Sequence, residues 1–118
     1  MKAAHSILTI ALGTSFIICG IAQADTAEGA KLFAERCVTC HGASGMGDGP
    51  VAASLPPDMK PRNLQEGNYK VVKDQASIVE LLKKGGPAFG MNPLMAAQPG
   101  LTDEQYNSIA EYVLTLKK

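Results

Sequence analysis

Cys37-Val38-Thr39-Cys40-His41 decides how this chain is read. A C-x-x-C-H run is the attachment motif of a c-type haem. Residues three apart at a helix end lie on one side, so both thiols can reach the two vinyl groups along one porphyrin edge. His41, directly after the second thiol, can then turn its imidazole beneath the ring and coordinate the iron. Other uses of the same side chains fit less well. Structural zinc needs four ligands, and Cys37, Cys40 and His41 are the whole Cys and His complement after residue 24. A thioredoxin-type redox pair belongs in a βαβ context, and no such pattern surrounds the motif. A plain structural disulfide suits an oxidising compartment. The adjoining His turns the balance to haem.

Upstream of the motif, Lys2 gives a basic start, and Ile7 to Ile21 is almost wholly apolar. Ala22-Gln23-Ala24 then offers small residues where a signal peptidase cuts. That order describes a secretory signal peptide over residues 1–24. The alternative, a retained anchor, must contend with an apolar run short of the ~20 residues a spanning helix needs. Cys19 lies inside the run behind bulky Ile17 and Ile18 and leaves with the signal. Export agrees with the motif, because covalent haem is fitted outside the cytoplasmic membrane. The expected location is the bacterial periplasm, with no stable membrane span after cleavage.

The mature domain, 25–118, has ten basic and eleven acidic residues, a charge of −1. So small a charge argues against nucleic acid as a partner. Disorder is excluded by 46% hydrophobic against 19% charged residues over the whole chain. Rings are scarce, with only 5% Phe, Trp and Tyr. A domain this small has trouble building a core from such side chains alone, and two thioether bonds to a large apolar plate would supply what is missing.

Helical spacing marks three stretches. The first runs from about Thr26 to Cys37, with Ala30, Phe33 and Ala34 on one face. The second opens at Asp74, a good N-cap, carries Ile78, Leu81 and Leu82, and stops at Gly85-Gly86-Pro87. The third opens with Thr102 and Gln105 in a capping box, and Tyr106, Ile109, Ala110, Val113 and Leu116 form its apolar face. The two long connections contain Met and Leu and should pack against something. Nothing alternates like a strand. The fold expected is all-α: a small, loop-rich bundle of three to four helices around one haem.

The mature chain resembles a class I c-type cytochrome over nearly its whole length. The likeness rests on the first helix ending in the motif, the Gly47-Asp48-Gly49-Pro50 loop, a middle helix, a Met-bearing loop, and a last helix after Leu101-Thr102-Asp103-Glu104-Gln105. The resemblance implies one haem c, covalent through Cys37 and Cys40, with His41 as proximal ligand and a methionine from the loop before the last helix as distal ligand. Met46 is too near His41 to cross the haem, and Met59 precedes the middle helix, so Met91 and Met95 remain. Family members with an aliphatic residue at the Met91 position and the ligand four places later favour Met95, although Ala96 stands where a proline often follows.

The resemblance also implies that Pro50 packs on the proximal imidazole, its neighbourhood supplying a carbonyl to the ring N–H; an ordinary turn proline is the alternative. Arg62 is a candidate partner for a haem propionate, with plain surface charge as its alternative. Gly29, Phe33 and Tyr112 match the family's crossing of first and last helices. The glycines at 42, 45, 47 and 49 open no helix after a strand and so make no phosphate loop. The function implied is a periplasmic one-electron carrier, a monomer and not an enzyme, working between redox protein partners. Alternatives are a haem enzyme or ligand sensor with an openable sixth position, and a fixed cytochrome subunit of a dehydrogenase or oxidase complex.

Overall fold

A computed structural model describes residues 24–67, 69 and 71–118. The expected signal segment therefore lies outside the described residues except for Ala24. Among the described residues no strand is present, and no helix is long and apolar enough to cross a membrane.

Four α-helices carry the fold: α1 (Thr26–Arg36), α2 (Val38–His41), α3 (Gln75–Lys84) and α4 (Asp103–Thr115). Their starts follow local chemistry. Asp25 accepts from the Ala27 amide at the head of α1. Asp74 and Ser77 form a reciprocal capping box at α3, and Thr102 and Gln105 form another at α4. Each side chain satisfies an amide that the first helical turn leaves without a partner. One boundary differs from expectation: α1 ends at Arg36, and the Cys-x-x-Cys-His run forms its own short helix after a break at Cys37.

Helices α1 and α4 cross at backbone contact. A Cβ on Gly29 would collide with the Ser108 carbonyl and sit 2.9 Å from the Tyr112 Cβ. Phe33 and Tyr112 pack beside this point, ring centroids 5.3 Å apart and tilted by 59°. The Ser108 hydroxyl also accepts from the Asp25 amide at 3.1 Å. Phe33, Ile109 and Ala110 are buried here, and α3 adds Ile78, Leu81 and Leu82 to the same core.

The connections are better ordered than their sequence suggests. Short 3₁₀ turns occupy Ala52–Ser54, Pro57–Met59, Leu64–Glu66 and Gly86–Phe89. Leu64, Phe89, Met91, Met95 and Leu101 pack against the core, as their apolar character requires, whereas Met46 is half exposed.

Gly29→Ala should lower unfolding stability by about 1–3 kcal/mol, because the methyl must push two backbones apart. Asp74→Ala and Thr102→Ala should each cost about 1 kcal/mol through the lost cap. Urea unfolding of the three variants checks both values and their order.

Candidate haem site

A cavity of about 680 Å³ opens beside α1, α3 and α4, within the ~300–1,000 Å³ span of cofactor sites. Phe33, Ile78, Leu82, Ile109 and Val113 give it apolar walls. Cys37, Cys40 and His41 line it together, and so do Met59, Met91, Met95 and Arg62. The two cysteines are free thiols and half-buried. Burial pushes the Cys37 thiol up to about 11, and the Arg36 charge offsets only part of this.

The attachment helix is tied down at its far end. The His41 amide donates to the Cys37 carbonyl at 2.8 Å, closing the turn that carries both thiols. Gly49 then donates to the Cys40 carbonyl at 3.1 Å and Val51 to the Thr39 carbonyl at 3.1 Å, so the following loop satisfies carbonyls that a helix end leaves open. Gly49 lies too close to the Val38 and Thr39 carbonyls for any side chain.

The His41 ring is held by a partner 21 residues away. Its Nδ1 stands 3.3 Å from the Arg62 carbonyl. A carbonyl only accepts, so Nδ1 carries the proton and the lone pair stays on Nε2. Burial lowers the imidazole pKa below its ordinary value, with the Arg62 bond pulling weakly the other way. The neutral form is favoured, and that is the form a metal needs. Gly47 makes this approach possible: with φ +82°, its absent Cβ would meet the Pro61 carbonyl at 2.5 Å. Leu64 anchors the same segment by donating to the Gly45 carbonyl at 2.7 Å.

Pro50 lies between Gly49 and Val51, whose amides bond the attachment helix. It is exposed and does not line the cavity; the carbonyl that the sequence placed in its neighbourhood is supplied by Arg62. Arg62 thus contributes twice, its backbone holding His41 and its residue standing at the cavity wall.

Met91 and Met95 lie on a loop closed by reciprocal bonds. Gly86 donates to the Met95 carbonyl at 2.7 Å and accepts from the Met91 amide at 3.0 Å. Gly86 is buried between them, its would-be Cβ 3.1 Å from that of Met95 and 3.3 Å from that of Met91. Both methionines are therefore brought to the cavity. Met59 also reaches it, which its place before the middle helix did not suggest. Asn92, too, lines the cavity; its one sequence signal was Asn92-Pro93, a turn dipeptide.

One thiol at the N-cap of a short helix and one within it, a neutral imidazole beside them, soft thioethers and apolar walls form a donor set that fits a covalently held haem. The comparisons agree. The Cytochrome c family profile matches residues 26–117. Cytochrome c6 of Thermostichus vulcanus is 35% identical over 107 residues, covering 91% of this chain and 83% of that protein. The cbb3-type cytochrome c oxidase subunit FixP of Azorhizobium caulinodans is 30% identical over 106 residues, covering 84% of this chain and 31% of FixP. This chain thus spans about a third of the length of that oxidase subunit. Among solved structures, a chain of the Kuenenia stuttgartiensis reducing HAO-like protein complex is similar with a TM-score of 0.67 and 30% identity, over 79% of this chain and 43% of its own. The chain belongs to the cytochrome c family, and Cys37 and Cys40 are the residues through which it carries a covalent haem c.

Proposed function

We propose that this chain is an exported one-electron carrier of the periplasm, with His41 and Met95 as the axial ligands of its haem. One observation carries the reading: the two thiols, the imidazole and the loop methionines all line one apolar cavity. A haem c bound there supplies a ferric–ferrous couple. His41 offers Nε2 because Arg62 holds Nδ1. Met95 offers a thioether, which favours the reduced metal and raises the potential. With both axial positions taken by protein, substrate has no place to bind, and the site suits electron transfer rather than catalysis. Thr39 is exposed between half-buried Cys37 and Cys40, so the attachment side faces the surface, where a redox partner can approach. The place of Arg62 in the cavity lining supports its reading as a propionate partner. Pro50 serves as a turn residue, with Arg62 taking the role of imidazole anchor.

The match covers 83% of the Thermostichus cytochrome c6 but 31% of the Azorhizobium FixP. The FixP likeness favours a second reading, a subunit of a larger oxidase assembly. Size-exclusion chromatography from the native host separates the two: a carrier elutes as a monomer, a subunit with its complex.

Met95→Ala should abolish the weak far-red sulfur-to-iron band of the ferric protein and lower the reduction potential, while Met91→Ala keeps the band. Survival of the band in Met95→Ala with loss in Met91→Ala would reverse the assignment. Intact mass of the denatured protein should include the tetrapyrrole, and the double variant Cys37→Ala, Cys40→Ala should lack it.

A further inference from the structure

The loop that carries Met91 and Met95 has two independent moorings. Its far end is tied to the helices: Gln98 donates to the Leu82 carbonyl at 2.8 Å and accepts from the Tyr106 hydroxyl at 2.6 Å. Arg36 adds a bond to the Pro99 carbonyl at 3.2 Å. The near end is held to the turn after α3 by the two Gly86 bonds, one to Met91 and one to Met95. It starts at Gly90, at φ +66° in open space, and turns at Asn92.

Asn92 uses three polar groups at once. Its Oδ1 accepts from the Leu94 amide at 2.9 Å, holding the turn. Its backbone carbonyl accepts from the Met95 amide at 3.1 Å, which sets the backbone of that methionine. Its Nδ2 donates to the Met59 carbonyl at 2.9 Å, across 33 residues of sequence. The last bond joins two segments that both line the cavity. The bond is half-buried, so its net contribution is of the ordinary size for a protein hydrogen bond.

We propose that Asn92 is a positioning residue, a strap from the methionine loop to the Pro57–Met59 turn that keeps the distal thioether on the iron and outside ligands off it. The proposal rests on the distal ligand being a methionine of this loop. Cutting the strap releases the loop from the Pro57–Met59 turn, while the Gly86 bonds and the far mooring keep the loop folded. The consequence is a faster opening of the sixth position rather than a different ligand. Asn92 therefore sets how far this carrier resembles a ligand-binding haem protein.

Asn92→Ser separates the two side-chain roles. A serine hydroxyl can still cap the Leu94 amide, but it is too short to reach Met59. Asn92→Ala removes both. Carbon monoxide is mixed with the ferrous holoprotein and imidazole with the ferric holoprotein, for wild type, both variants and Gln75→Ala. The last is a control that removes the 3.3 Å bond from Gln75 of α3 to Asn107 of α4, neither of which lines the cavity. Expected is a carbon monoxide association rate at least tenfold above wild type in both Asn92 variants, with the resting far-red band kept in Asn92→Ser. Gln75→Ala should stay within twofold of wild type. Rates within twofold of wild type in both Asn92 variants, or an equal rise in Gln75→Ala, would overturn the strap. Failure of the ligand assignment looks different, because there the far-red band is absent in wild type or survives Met95→Ala.

Discussion

Two backbones touching at Gly29 and Ser108 are the constraint on which this structure depends. Only a residue without a Cβ lets α1 lie against the α4 carbonyls. The crossing fixes the direction in which α1 delivers Cys37, and with it the attachment helix. Phe33 and Tyr112 seal the contact with their rings. Ser108 then ties down the start of α1 through the Asp25 amide. The frame is rigid at the point where its sequence is smallest.

From that frame the chain builds its site by closing loops onto short elements. Glycines recur where backbone must pass backbone: Gly49 against α2, Gly47 against Pro61, Gly86 between the two methionines. Each lets a carbonyl or amide come near enough to orient a donor. The result is a cavity with two kinds of wall. Core side chains of α1, α3 and α4 furnish its apolar surface, and loop residues furnish its thioethers and the Arg62 wall. A domain with so few rings leaves its centre to be completed by a bound plate, and the same plate is the source of its chemistry.

Electrostatics at the site act through burial more than through charge. Both the lowered His41 value and the raised Cys37 value have burial as their first cause. Lys83 pairs with Asp103 and Lys84 with Glu80 on the exposed faces of α3 and α4, where water screens them. The His41 imidazole is thus tuned by burial first and by one carbonyl second.

Sequence by itself determined what is local or covalent. The spacing of Cys37, Cys40 and His41 names the cofactor, because three atoms' worth of chemistry is written within five residues. Asp74 and Thr102 mark their helices, because a cap acts over three positions. The helical faces of Phe33, Ile78 and Ile109 were legible for the same reason, and Gly29 was legible through family likeness. Tertiary structure alone decided which carbonyl holds His41, since Arg62 comes from 21 residues away and Pro50, nearer in sequence, turns outward. It alone joined Asn92 to Met59 and brought Met59 to the cavity. Such contacts depend on how glycine-rich loops close in space, and a closure of that kind leaves no periodic trace along the chain.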